Sequence, residues 1–320
     1  MSPRPPTIGV FDSGFGGLTV LKALLELIPA ANYLYFGDTA RLPYGTKSAE
    51  TVARYAIGAT RFLEKQNIDL LVIACNTATA LALPQIKQAA QVPVIGVVEP
   101  GAAMAAEVSR SRSAIVIATE ATVSSHAYRD ALQRHGLQSL EKACPLFVPL
   151  VEEGWIEHPV TEQVARIYLG EATAQSPEGA DVLVLACTHY PLIAPLLRRI
   201  VPESMQIVDS AESTARVVRR MIDENLVCHP ERSELAQDLT CHPERSEDDP
   251  HLMCHPERSE PIGERSRRTP IVAESSTQVH RTFRYYVTDS TDKFKRLATR
   301  FLGRRVDNVE HVDLEEGIRD

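Results

Sequence analysis

Along this 320-residue chain, short apolar runs alternate with longer stretches of helical period. The apolar runs are Thr7 to Phe11, Tyr33 to Phe36, Leu70 to Ala74, Val94 to Val98, Ser113 to Ala118, Phe147 to Val151, Val182 to Ala186, Gln206 to Val208 and Arg284 to Val287. Most lack the polar alternation of a half-exposed strand, which is how parallel strands covered on both faces read. Helical periodicity fills the gaps, as at Leu18 to Leu27, Ser48 to Lys65, Thr77 to Ala90, Thr161 to Ala174, Ala211 to Leu226 and Asp292 to Leu302, with further helices expected from Ala102 and from Pro191. Strands alternating with helices predict an α/β fold with parallel, doubly wound sheets. The alternation restarts near Pro100, so two similar domains are expected: residues 7–98 with 209–320 in the first, residues 99–208 in the second, and the active site in the cleft between them.

Two of these runs end alike. LLVIACNTAT from Leu70 and VLVLACTHY from Val182 both stop at Ala-Cys followed by a small polar residue. That places Cys75 and Cys187 at the C-terminal ends of strands, the edge where open α/β sheets bind ligands and where the next helix presents free N–H groups. A single Cys after a strand is most often a small buried hydrophobe. Two in matched contexts point instead to one cleft flanked by two thiols. A thiol titrates near pH 8.5 and a helix N-terminus lowers that value, so it can serve as base or as acid. Two thiols on opposite faces of a tetrahedral carbon could remove a proton from one face and return one to the other, which inverts the centre.

Other strand ends supply polar groups. Asp12-Ser13-Gly14-Phe15-Gly16-Gly17 follows the first strand; its spacing is not that of a phosphate loop, and the Asp12 carboxylate suits an ammonium group or proton management better. Ser13 and the glycine N–H groups could hold a carboxylate, or Asp12 and Ser13 could simply cap the next helix. Gly37-Asp38-Thr39 leads into Ala40 to Gly45, an ordered turn expected to show Tyr44 to a ligand. Thr119 to Ser124 offers caps and anion donors, and His189, two residues after Cys187, is placed to shift a thiol's protonation.

Net charge of −8 and a pI near 5.7 argue against a general nucleic-acid binder. No apolar segment approaches bilayer-spanning length, and MSPRPPT is too short and Pro-rich to target the chain, so a soluble, cytoplasmic protein is expected, with thiols kept reduced. The heptapeptide CHPERSE occurs verbatim at Cys228, Cys241 and Cys254. Identity at every position, exposed types included, reads as a duplicated coding element rather than a packing repeat. Its adjacent Cys and His lack zinc-site spacing, so no metal is assigned, and the stretch from about 228 to 280 is expected to be a disordered surface insertion.

DSGFGGLTVL from Asp12, GDTARLPYG from Gly37, ACNTAT from Ala74, VPLVEEG from Val148 and ACTHYPL from Ala186 together resemble the cofactor-independent amino-acid racemases, the glutamate racemases in particular. The resemblance runs from Thr7 to about Leu226 and resumes from about Arg284 to Gly303. Ala118 stands where that family usually has Gly, and the CHPERSE segment has no counterpart in its pattern. The resemblance implies interconversion of L- and D-glutamate without a cofactor, supplying D-glutamate for peptidoglycan. It implies Cys75 as the base toward D-glutamate and Cys187 toward L-glutamate, with Asp12, His189, Asp38 and Glu152 assisting. It further implies substrate binding by Asp12, Ser13, Pro43, Tyr44, Gly45, Asn76, Thr77, Thr119, Thr122 and Thr188. The partner expected is the small molecule glutamate, with neither nucleic acid nor membrane; a homodimer is allowed but not called for. The rival readings are a racemase of aspartate or another small acid, a silent small-acid binding module, and a zinc-binding protein built on the CHPERSE copies.

Overall fold

The computed structural model describes residues 4–176, 179–224, 226–227 and 282–314. The CHPERSE copies, and the expectation of a disordered insertion there, lie outside them.

In chain order come β1 (Thr7–Asp12), α1 (Leu18–Leu27), β2 (Asn32–Gly37), α2 (Ala49–Glu64), β3 (Leu70–Ile73), α3 (Asn76–Ala89) and β4 (Val94–Gly96). Next are α4 (Val98–Val108), β5 (Ser113–Ala118), α5 (Glu120–Ser125), α6 (Ala127–Arg134), β6 (Gln138–Ala143), α7 (Phe147–Glu153), α8 (Pro159–Gln175), β7 (Val182–Ala186), α9 (Ala194–Arg198) and β8 (Gln206–Asp209). The chain then adds α10 (Ser210–Asp223), β9 (Phe283–Val287), α11 (Thr291–Leu302) and β10 (Val309–His311).

Two wholly parallel sheets result. One has the order β10-β9-β2-β1-β3-β4 and the other β6-β5-β7-β8. In the first, the chain leaves β1 for β2 on one side and comes back to β3 on the other; in the second, β5 is followed by β6 on one side and β7 on the other. Each reversal opens a crevice beyond the strands' C-terminal ends, the usual place for a ligand in such sheets. Asp12 ends β1 and Cys75 follows β3; Thr119 follows β5 and Cys187 follows β7. The fold thus sets two polar groups at each reversal.

The central strands form because their residues have no wet face. β3, β5 and β7 are buried at every position. Helix starts are chemically marked: Ser48 accepts from Thr51 N–H, Thr119 from Thr122 N–H, Asp209 from Ala211 N–H and Ser290 from Lys293 N–H. Gly303, at φ 69°, ends α11 in the left-handed conformation that glycine adopts without strain. α11 packs through Phe294 against Phe15, Tyr35 and Tyr285, at ring separations of 5.8–6.0 Å. One buried cluster runs from Phe15 and Leu18 to Phe147 and Tyr190, so the two sheets share a core.

Three expectations are corrected. Phe147 to Val151 is the helix α7, not a strand: Phe147 and Val151, one helical turn apart, are its buried side chains, and Gly154 at φ 85° closes it. A five-residue apolar run fits either reading. The strand of that region is β6, whose QSLEKA sequence is polar because it forms the sheet edge. The helix expected from Ala102 already starts at Val98, with Glu99-Pro100-Gly101 inside its first turns, where proline's missing N–H costs nothing. The helix expected from Pro191 is a 3-10 turn, Tyr190–Ile193, before the short α9.

Candidate active site

The turn between β1 and α1, with the start of α1, links Cys75 to the loop that follows Cys187. On one side the Cys75 thiol donates to Ser13 Oγ at 3.4 Å. On the other, Thr19 Oγ donates to the main-chain carbonyl of Thr188 at 3.2 Å, and Gly16 lies so close to Thr188 and His189 that a methyl group there would overlap both side chains. The glycines after Asp12 are therefore needed for close approach between lobes rather than for a phosphate. Asp12 is fully buried. Its Oδ2 accepts the Gly14 N–H at 2.9 Å and its Oδ1 has no hydrogen-bond partner. Burial pushes the Asp12 carboxyl up, while His189 and the neighbouring backbone N–H groups hold it back.

Cys75 caps α3, its Sγ accepting the Ala78 N–H at 3.4 Å. That position was expected to lower its pKa. Instead burial, and after it the Asp12 charge, push the thiol up to about 12, against the opposing hydrogen bonds from Ser13 and Ala78. Cys75 therefore keeps its proton at neutral pH.

The surroundings of Cys187 differ. His189 is buried, and its Nε2 lies 3.2 Å from Glu152 Oε1. Burial disfavours its charge, but hydrogen bonds and charge interactions with Cys187 and Glu152 outweigh that and raise it to about 10. A cation therefore stands beside Cys187 at neutral pH. Two neighbours from α11 complete this side, neither of them read from the sequence. Phe301 meets the His189 ring edge-on at 5.4 Å, and Arg300 donates to the carbonyls of Val151 and Glu152 at 3.1 and 2.7 Å.

Thr77, Thr119 and Thr122 form a hydroxyl triangle across the seam, with Oγ separations of 3.0, 3.1 and 2.9 Å. Gly45 packs against Thr119, where a Cβ would come within 3.0 Å of the threonine Cβ. Tyr44 was expected on display; it is 2% exposed, and its hydroxyl donates to Asp38 Oδ2 at 2.6 Å. Asp38 also accepts from Thr288 at 2.8 Å and pairs with Arg41. These bonds fasten the loop that carries Pro43, whose peptide with Leu42 is cis, and they tie Asp38 to the loop rather than to a thiol. A negative charge on Cys75 would reach Tyr44, whose phenol is raised well above its ordinary value by burial and then by Asp38.

The model of the Asp/Glu/hydantoin racemase family matches residues 8–218. The glutamate racemase of Koribacter versatilis (strain Ellin345) is 55% identical over 314 residues, covering 98% of this chain and 99% of that protein. The chain belongs to this racemase family. The glutamate racemase of Syntrophus aciditrophicus (strain SB) is 40% identical, covering 98% of each chain. Among solved structures, that of Thermus thermophilus glutamate racemase in complex with beta-chloro-D-alanine has 38% identity and a TM-score of 0.72, covering 98% of this chain and 99% of that one. The Francisella tularensis glutamate racemase in complex with D-glutamate has 29% identity and a TM-score of 0.76, covering 98% of each.

Within this racemase fold, the contacts bring Ser13 to Cys75, the residues after Asp12 to Thr188 and His189, Glu152 to His189, and Thr77 to Thr119 and Thr122. Among the described residues, no group of three or more His, Cys, Asp or Glu side chains is arranged to hold a metal ion. Nor, among them, is any helix long and apolar enough to cross a membrane.

Proposed function

We propose that this racemase acts on glutamate, interconverting its enantiomers by proton transfer at Cα between Cys75 and Cys187, and so supplies D-glutamate for peptidoglycan in the cytoplasm. The observation that carries the reading is the β1–α1 turn with the start of α1, which touches Cys75 through Ser13 and the Cys187 loop through Gly16 and Thr19. The near-full-length likeness to glutamate racemases supports the choice of substrate. The working unit is then two lobes, residues 7–98 with 209–320 and residues 99–208, with the substrate between them.

The roles follow from chemistry. The substrate ammonium pairs with Asp12, whose Oδ1 is a buried acceptor without a partner. Its carboxylates are held by the hydroxyls and backbone of Ser13, Thr77, Thr119, Thr122 and Thr188, by Asn76, and by the Pro43-Tyr44-Gly45 turn. A thiolate at Cys187 removes the Cα proton of L-glutamate, leaving the electron pair on Cα, and the Cys75 thiol delivers its own proton to the opposite face. The reverse reaction starts from the Cys75 thiolate and D-glutamate. The ammonium helps that direction, because it offsets the Asp12 charge that opposes a Cys75 thiolate. Glu152 keeps His189 protonated, and Asp38 secures the Tyr44 loop.

The test is Cα hydrogen exchange of L- and D-glutamate, and of aspartate, in deuterated water without added cofactor. Deuterium entering both glutamate enantiomers with inversion is expected. A faster reaction with aspartate would reassign the substrate, and no exchange at all would refute catalysis.

A further inference from the structure

Asn76 is the first residue of α3, directly after Cys75, and is 3% exposed. Its Oδ1 accepts a hydrogen bond of 2.6 Å from the hydroxyl of Tyr128, a fully buried residue of α6 in the other lobe. Its Nδ2 is also buried, and has no partner. A primary amide carries an acceptor at one end and two donors at the other, so the end that is tied determines what the free end offers. The tie has a direction. Burial raises the Tyr128 phenol pKa, so the hydroxyl keeps its proton and remains a donor at neutral pH. The Tyr128 hydroxyl gives its proton to Asn76 and so holds the amide oxygen on its own side. Gly101 makes room for this contact. A Cβ there would stand 3.2 Å from the Tyr128 oxygen and 3.3 Å from Ser210 Cβ.

We propose that Tyr128 is a positioning residue of the site: its hydroxyl fixes the Asn76 amide with the NH2 group turned to the substrate as a donor to a carboxylate. A carboxylate only accepts, so it complements a buried donor at a helix N-terminus, whereas the flipped amide would present an oxygen and repel it. The carboxylate ligand rests on the glutamate reading; the fixed amide does not.

Tyr128→Phe removes one hydroxyl and keeps the ring. KM for both enantiomers of glutamate should rise about tenfold, the effect of one hydrogen bond to a charged group, with kcat nearly unchanged. In an Asn76→Ala background the same change should add nothing to KM. An unchanged KM in the single variant, or an equal rise in the Asn76→Ala background, would overturn the proposal, because the hydroxyl would then act through packing or not at all. A second readout is independent of turnover. The chain has five asparagines, so selective 15N labelling gives few side-chain signals, and Asn76→Ala identifies the one of interest. In the ligand-free protein Tyr128→Phe should shift the Asn76 NH2 pair, and an unmoved pair overturns the fixed amide whether or not glutamate is the substrate. If the pair shifts but the parent shows no Cα exchange with glutamate, the amide assignment stands and the proposed function falls.

Discussion

Glu152→Gln keeps the size of the side chain and an acceptor oxygen but removes its charge. The parent carboxylate lies 3.2 Å from His189 Nε2, with side-chain exposures of 19% and 7%. Unit charges at that distance attract by roughly 3–5 kcal/mol for effective dielectric constants between about 40 and 20, equivalent to two or more pKa units. His189 titrates at about 10 in the parent, so the variant should titrate near pH 8 or below. The groups facing the ring are Glu152 from α7, Cys187 from its own loop and Asp12 from β1, with Arg300 of α11 bonded to the Glu152 backbone. A histidine whose folded pKa exceeds its unfolded value stabilises the fold fully below the unfolded pKa, and that contribution is lost as pH rises through the folded pKa. In the parent the loss therefore runs from about pH 6.5 to about 10. At about pH 6 the variant should be less stable by roughly 3 kcal/mol, and the difference should vanish above about pH 10. Imidazole NMR with selective histidine labelling gives the midpoint, and urea unfolding at the two pH values gives the stability. A midpoint that rises, or falls by less than half a unit, would refute the ion-pair account of His189.

Replacing either thiol by a hydroxyl should abolish racemisation in both directions, while Cys187→Ser keeps some solvent exchange with D-glutamate and Cys75→Ser some with L-glutamate, neither with inversion. A single variant that racemises near the parent rate would disprove the two-thiol mechanism. Gly16→Ala drives a methyl group into Thr188 and His189; overpacking of this kind typically costs about 1–3 kcal/mol, and kcat/KM should fall at least about tenfold, so a value within twofold of the parent would show that the turn does not set the site. Deleting residues 228–280 with a short linker should leave cooperative unfolding and activity largely intact, because the segment's verbatim copies and polar composition do not read as core. Loss of either would show that the segment packs on the fold or shapes the site.

What the sequence reveals depends on burial. β5 and β7 can be read almost to the residue because every side chain is covered and no polar position interrupts the run. β6 is invisible for the opposite reason, since an edge strand keeps polar residues, and the apolar segment after it is taken for the strand although its buried positions follow a helical turn. Residue types mark the strand-end chemistry, but not its environment. Helix capping by Cys75 is legible, whereas the burial that overrides it depends on what packs above, including Asp12 from another strand. Tyr44 looks like a displayed aromatic until Asp38, six residues earlier, turns its hydroxyl inward. Tyr128, Arg300 and Phe301 carry no local signal, since each acts on a residue far away in sequence.

The matched Ala-Cys strand ends give the site its symmetry, and their neighbours remove it. A reaction that takes a proton with one thiol and returns it with the other needs the two in different protonation states at any moment, and identical surroundings would make them alike. Burial with Asp12 keeps the proton on Cys75 up to about pH 12, while Glu152 and Cys187 keep a cation on His189 up to about 10. Between neutrality and pH 10 the site therefore has its spare proton on one side and its positive charge on the other, the asymmetry that reaction with L-glutamate requires. It follows that deprotonation of His189, not of Cys75, should set the alkaline limb of the pH–rate profile, as a macroscopic value of the coupled site. The limb should lie near pH 10 in the parent and move down together with the His189 midpoint in Glu152→Gln. A limb that stays in place while that midpoint moves would assign the alkaline loss to another group, and His189 would then have no part in holding the charge.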